Sequence, residues 1–274
     1  MVPGDPGGNG GNMDSFDQLL SVPGGASIPV RRVIDKMNEY MSRLDYAGAE
    51  RHLNYWLAEA RAGGDRRGEL TVLNELIGHC RKTGQKEAAE RYSGEALNLL
   101  DALELGGSVT AGTTYINIAT AAYVFGDYGR SMDMFDRAES VYLRNPDTDP
   151  QLLGGLYNNM GLTLTALRRY DEAMAAYEKA LGQMDKVPGG APEQAETCLN
   201  MANTLEYRYG TVEAEGRINE LLDRAEALLD SPDVVRDGYF AYVCDHCAPT
   251  FEHYGYFLTA AKLREWTKRY YERT

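Results

Sequence analysis

The chain has no long apolar run, few cysteines and a deficit of positive charge. Each absence narrows what it can be. No stretch reaches the roughly 20 apolar residues that a membrane-spanning helix requires. Lys and Arg number 28 against 41 Asp and Glu, a formal net charge of -13. That balance argues against nucleic acid or an anionic membrane as a partner, because both are bound chiefly through Lys and Arg. Four cysteines in 274 residues give no disulfide framework. The early glycines are not followed by the GK[ST] ending of a phosphate loop. There is no HExxH zinc motif and no nucleophile elbow. Met1 to Asn12 carries neither a charged start nor a hydrophobic stretch, so the segment does not read as a secretory signal and the expected location is cytoplasmic. No strand-like alternating run of any length appears, which leaves an all-α protein.

What is present begins with a contrast in composition. Residues 1–26 are rich in Gly and Pro, and such a segment cannot bury enough surface to offset its ordering entropy. We expect it to be disordered. Within it, Ser15-Phe16-Asp17-Gln18-Leu19-Leu20 reads either as a frayed turn or as a short docking motif. From Ser27 to Thr274 the pattern is helical and forms one repeat domain. Ser27 is placed to cap the first helix, with Pro29 in its first turn. Ser231-Pro232 is placed to open a later one.

The helical region repeats. Small residues early in every second helix, Ala49, Ala89, Ser131, Ala173, Ala214 and Ala260, are separated by 40, 42, 42, 41 and 46 positions. Each follows a tight turn, often marked by Gly or Asp. In the best-formed unit Tyr157, Met160, Gly161 and Leu164 fall on one helical face, as do Ala173, Tyr177, Ala180 and Leu181 on the next helix. Gly161, with Ala119 and Ala202 in the flanking units, sits where two helices must approach closely. A hairpin of this kind cannot bury its apolar face alone, so the units must stack into a solenoid.

These residues resemble the tetratricopeptide repeat proteins. Tyr157, Met160, Gly161, Leu164, Tyr170, Ala173, Tyr177 and Ala180 match the packing positions of that motif. Tyr115, Ile118, Ala119, Phe135 and Ala138 match in the third unit, and Met201, Ala202, Leu205 and Ala214 in the fifth. Units of 40–42 residues are longer than the standard 34 and are similar to the lengthened class found in kinesin light chains and bacterial peptide-sensing regulators. The resemblance implies a right-handed superhelical solenoid of about six antiparallel helix pairs. It implies a non-catalytic scaffold binding a protein or an extended peptide in a groove lined by the first helix of each unit, with no cofactor. Two alternatives stand beside it: a peptide-responsive sensor acting through a separate output protein, and a metal- or thiol-dependent enzyme.

For the groove, the register places Asn117, Asn159 and Asn200 at one position of three successive units. Asn amides both donate and accept, so such a row could pair with the backbone of an extended peptide. Asn203 and Glu206 lie one turn further on, and Tyr123 and Tyr207 are candidate aromatic walls. Where chaperone-binding members use Lys to hold a terminal carboxylate, this chain has Asn158, Leu199 and Glu196, so carboxylate capture is not expected. Cys244-Asp245-His246-Cys247, with His253 nearby, has the spacing of a zinc or dithiol site. In register, however, Cys80, Cys198, Cys244 and Cys247 all fall on packing faces, and no metal is expected. Lys262, Arg264, Lys268, Arg269 and Arg273 surround Leu263, Trp266 and Tyr270. They form either a basic partner helix or the polar cap of a terminal repeat.

Overall fold

The computed structural model describes residues 27–272. The disorder expected for 1–26, the patch at Ser15–Leu20 and Arg273 lie outside them. Among the described residues there are twelve α-helices and no strand. The chain divides into two compact units, the first ending at Pro146 and the second starting at Asp147. The N-terminal unit holds α1 (Val30–Ser42), α2 (Tyr46–Gly63), α3 (Arg66–Thr83), α4 (Lys86–Ala102), α5 (Val109–Val124) and α6 (Tyr128–Arg144). The C-terminal unit holds α7 (Pro150–Ala166), α8 (Tyr170–Met184), α9 (Ala191–Tyr209), α10 (Thr211–Asp230), α11 (Gly238–His253) and α12 (Phe257–Tyr271).

Within each unit the helices pack as consecutive pairs, and the first helix of one pair also meets the first helix of the next: α3 with α5, α7 with α9, and α9 with α11. This is an all-α helical repeat solenoid built from six helix pairs. All six small anchor residues are 0–2% exposed. Gly161 shows why size is limited at the crossing: a Cβ there would sit 2.6 Å from Cζ of Tyr177, whose side chain is fully buried. Gly112 meets the ring of Tyr142 in the same way in the N-terminal unit.

The helix starts are set largely by aspartate. Asp45, Asp65, Asp127, Asp149 and Asp237, together with Ser108, accept a backbone N–H from their own first turns, which satisfies donors that the helix cannot. Two expected starts are corrected. Ser27 caps nothing: α1 begins after Pro29, and the Ser27 hydroxyl instead donates to Asp65 at 3.2 Å, beside the Ile28 N–H at 2.9 Å. Ser231 ends α10 rather than starting α11, which opens six residues later on Asp237. An Asp that accepts from Phe240 N at 3.0 Å supplies the cap that Ser231-Pro232 seemed to offer.

The turn inside each pair passes through one left-handed residue. Gly84, Gly126, Gly210 and Gly255 take it in four pairs, while Leu44 (φ 57°) and Arg168 (φ 61°) take it in the others.

Candidate binding surface on the first helices

The first helices of the C-terminal unit have an unusual charge distribution. Helix α7 has no charged residue, while α9 and α11 together carry Glu193, Glu196, Glu206, Asp245 and Glu252 against one Lys or Arg, Arg208. Arg208 is already paired with Asp171. The side chains facing along these helices fall into three groups.

The first group is the asparagine row. Asn117 and Asn200 are half-buried, and both are engaged with the preceding repeat. Asn117 Nδ2 donates to Asn74 Oδ1 at 3.0 Å, and Asn74 Nδ2 donates to Thr114 Oγ1 at 3.1 Å. In the C-terminal unit Asn200 Nδ2 donates to Asn158 Oδ1 at 3.0 Å, and Thr197 Oγ1 donates to the same oxygen at 3.2 Å. The same clasp thus appears in both units: a Thr and an Asn, one turn apart, close on an Asn of the preceding repeat. The sequence register of Asn117, Asn159 and Asn200 agrees with the glycine and alanine crossings, but it did not reveal that Asn74 and Asn158, each one position earlier in its own repeat, are the hubs. Asn159 differs from its counterparts. It is half-buried, and no side-chain partner is found for its amide among the described residues.

The second group surrounds Glu206. Its carboxylate accepts from His253 Nε2 at 2.9 Å, from Tyr254 Oη at 3.0 Å and from Thr211 Oγ1 at 2.9 Å. Tyr254 Oη also lies 3.1 Å from Asn203 Oδ1. Burial alone would raise the Glu206 pKa, but the hydrogen bonds from His253, Thr211 and Tyr254 outweigh it and hold the carboxyl below its ordinary value. Asn203 and Glu206 are therefore brought together, tied down by α11 and its following turn. The two aromatic candidates separate. Tyr207 is 66% exposed, whereas Tyr123 is 8% exposed with its ring 5.8 Å from that of Tyr128. A buried Tyr123 cannot form an exposed wall. It falls in register with Glu206, and Tyr207 lies one residue further on.

The third group was not singled out from sequence as a site. Glu193 and Glu196 are one turn apart at the start of α9, and Tyr239 and Tyr242 on α11 stand against them. The two tyrosine rings stack with centroids 6.4 Å apart and an interplanar angle of 21°, and Tyr242 lies 3.9 Å from the His246 ring. Glu193 Oε1 accepts from Gln151 Nε2 at 3.4 Å, its Oε2 is shut off from solvent, and the Tyr239 phenol hydrogen-bonds the carboxylate. Burial, reinforced by the Glu193 charge, pushes the Glu196 carboxyl up to about 8. Burial and then the charges of Glu193 and Glu196 raise the Tyr239 phenol. Glu196 was legible as occupying a groove position. Its desolvation was not, since that depends on how closely α11 stacks on α9.

The cysteine motif is placed inside the packing. Cys244 and Cys247 are 0% and 1% exposed, and burial raises the Cys244 thiol to about 12 and that of Cys247 well above its ordinary value. A thiol so held is not a nucleophile at neutral pH. Cys80 and Cys198 are likewise buried, each raised by burial to about 11. Among the described residues no group of three His, Cys, Asp or Glu is arranged to hold a metal ion. On the terminal helix Lys262 pairs with Asp230, Arg264 with Glu252, Lys268 with Glu272 and Arg269 with Glu265, so these cations are committed within the unit. Among the described residues no helix is long and apolar enough to cross a membrane.

Comparison with known proteins places this architecture. Residues 155–183 match the tetratricopeptide repeat family. No curated protein matches the sequence. Among solved structures, the chain is similar to BtubC (BKLC) from P. vanneervenii, with a TM-score of 0.56 at 15% identity over 90% of this chain and 92% of that one. It is also similar to a putative kinesin light chain from Podospora anserina with nearly identical TPR-like repeats, with a TM-score of 0.59 at 13% identity over 74% of this chain and 97% of that one. At such identities the likeness speaks for the fold. The chain carries a tetratricopeptide repeat within a tetratricopeptide-like helical solenoid.

Proposed function

We propose that this protein is a non-catalytic interaction scaffold that holds an extended segment of a partner protein against the first helices of its repeats. The observation that carries the reading is Asn159. Its amide, on the repeat that best matches the family, is half-buried and has no partner among the described residues, whereas the equivalent Asn117 and Asn200 close clasps between repeats. An amide in that state offers a donor and an acceptor to a passing peptide backbone. Asn200, in the same unit, keeps an unengaged Oδ1 that supplements it. Asn203, Glu206 and Tyr207 continue the same helix, with Tyr207 the exposed aromatic. The enzyme alternative is weakened by the buried, protonated cysteine pair, and the sensor alternative has no observation in its favour.

The clasps determine how the proposal is tested. Replacing Asn117 or Asn200 disturbs packing as well as binding, so Asn159→Ala is the clean variant. A photo-crosslinking residue at Tyr207 would trap the partner in extracts for identification, and its purified binding segment would then be titrated against wild type and Asn159→Ala. We expect unchanged helicity and weaker binding in the variant, by about tenfold for a lost pair of backbone contacts worth ~1.4 kcal/mol. Equal affinity would remove the asparagine from the binding surface.

A further inference from the structure

We propose that the segment Ser15-Phe16-Asp17-Gln18-Leu19-Leu20 docks on its own chain, covering the open apolar side of α1 and capping the first helix pair. The inference concerns a surface apart from the asparagine row and goes beyond the scaffold reading.

The first argument is an incomplete face. Helix α1 is amphipathic, with Val30, Val33, Ile34, Met37, Tyr40 and Met41 on one side. Of these, only Val33 is buried. Val30, Ile34, Met37 and Met41, at i, i+4, i+7 and i+11, form an edge that stays half-buried. The next helix, α2, instead buries Ala49, Leu53, Leu57 and Ala60. In a solenoid each apolar face is covered by its neighbour, and among the described residues no helix precedes α1.

The second argument is reach. Asp65 accepts from both the Ser27 hydroxyl and the Ile28 N–H, so the chain enters α1 at a fixed point. Ser21 to Ser27 includes Pro23, Gly24 and Gly25, residues suited to reversing the chain. A connection this short places the segments on its two sides next to each other and antiparallel. It spans at most about 25 Å, while α1 is about 20 Å long. Phe16, Leu19 and Leu20 have the i, i+3, i+4 spacing of one apolar face. Leu20 then meets Val30, and Phe16 meets Ile34 and Met37. An open depression of about 340 Å³, bordered by Val30, Arg31 and Arg32, leaves room for the returning chain.

Charge decides between possible occupants. Lys36 and Arg43 both pair with Glu39. Arg31 and Arg32 are exposed, and neither forms an ion pair among the described residues. Residues 1–26 contain Asp5, Asp14 and Asp17 and no Lys or Arg, so Asp14 and Asp17 bring acid to these two cations. A second copy is disfavoured by the net charge of -13 that it shares. A segment of another protein lacks the tether, which holds this one at an effective concentration of about millimolar.

The test reads Met37 and Met41, which lie in the covered edge. The full-length protein is exposed to dilute hydrogen peroxide, and methionine sulfoxide is followed at each site by peptide mass spectrometry. In Phe16→Ser/Leu19→Ser/Leu20→Ser both should oxidise about tenfold faster than in wild type, as expected when a cover open ~10% of the time is removed. Met174 of α8, also half-buried, should be unaffected. Arg31→Glu/Arg32→Glu should speed oxidation at Met37 and Met41 too, and adding Asp14→Arg/Asp17→Arg should restore protection. Wild-type rates should be the same from ~1 to ~100 μM protein, as for contact within one chain. Rates that fall with concentration would assign the cover to a second copy and overturn the proposal. Equal rates in wild type and the apolar variant also overturn it, as does an equal rise at Met174, which would mean general loosening. A charge swap that fails to restore protection overturns the pairing by which this segment was chosen, and the proposal with it.

Discussion

Replacing Glu196 by Gln should stabilise the C-terminal unit at alkaline pH and leave it unchanged in acid. The reasoning starts from burial without compensation. In the folded chain the carboxyl is raised from 4.5 to about 8, because water has been removed and the nearest charge, Glu193, has the same sign. A raised pKa means that the folded state holds the proton more tightly than the unfolded state. The resulting stability is fully present below about 4.5 and is lost as pH rises through about 8. Each pH unit between those values corresponds to ~1.4 kcal/mol, which sets a ceiling of about 5 kcal/mol on the effect. Glu196 is half-buried, and water that still reaches it relaxes much of the penalty, so we expect ~1–3 kcal/mol. Gln has the shape of the protonated acid and no charge to lose.

The assay follows from the position of one tryptophan. Trp266 packs edge-on against Phe240, with centroids 5.2 Å apart, and so reports on the C-terminal unit once Trp56 in α2 is changed to Phe. Urea unfolding in that background, followed by fluorescence at a series of pH values, would compare wild type with Glu196→Gln. The two should coincide near pH 4.5 and diverge progressively to pH 9, with the variant the more stable. A separation independent of pH across that range would refute the reasoning, because it would show that the carboxyl does not titrate differently in the folded and unfolded states.

Three further outcomes follow from the fold. Arg168→Gly should stabilise by ~0.5–1 kcal/mol, the left-handed strain of a non-glycine residue less the extra chain entropy of glycine; because the Arg168 side chain is exposed, a thermal melt showing destabilisation would mean the turn is not strained. Gly161→Ala should cost ~1–3 kcal/mol by driving a methyl into the Tyr177 ring, and a chemical-denaturation midpoint equal to that of wild type would contradict the close crossing of α7 and α8. Tyr254→Phe should cost ~1 kcal/mol by removing the hydroxyl bonded to Glu206 and should move the acid side of the pH–stability curve upward; an unmoved acid limb would show that Tyr254 does not help to hold the Glu206 proton affinity down.

The repeat was legible because its cause is local. An Ala or Gly is required wherever two helices cross closely, and a turn is required before each second helix, so the period appears directly at Ala49, Ala89, Ser131, Ala173, Ala214 and Ala260. The turns themselves were only partly legible. Glycine marks four of them, but Leu44 and Arg168 adopt the same left-handed conformation because packing on both sides imposes it, and no local preference of Leu or Arg signals that. The three asparagines share one repeat position but not one set of contacts. Whether an Asn serves a partner or a clasp depends on what the previous repeat offers one position earlier, and only at Asn117 and Asn200 does the structure supply an Asn there to accept. Ser27 and Ser231 show the opposite failure: both have good capping chemistry, and both lost the position to an Asp or Pro better placed by the loop.

The two ends of α9 show why the acidic face is more than solvated surface. Glu206 and Glu196 lie on the same helix, and both are partly removed from water, which by itself raises a carboxyl's pKa. At Glu206 the stacking of α11 brings the His253 ring and Tyr254 to the carboxylate, Thr211 at the start of α10 adds a third donor, and together they hold the group below its ordinary value. At Glu196 the same stacking brings two tyrosine rings but no cation, Glu193 of its own helix adds a like charge, and the group is driven up to about 8. Burial is thus balanced by donors at one end of the helix and left unbalanced at the other. Glu206 is completed by its own chain and stabilises above its unfolded pKa. Glu193 and Glu196, both raised by burial, lose stability in the same pH direction. A carboxylate pair kept only for packing would be improved by Gln at no cost to any other property.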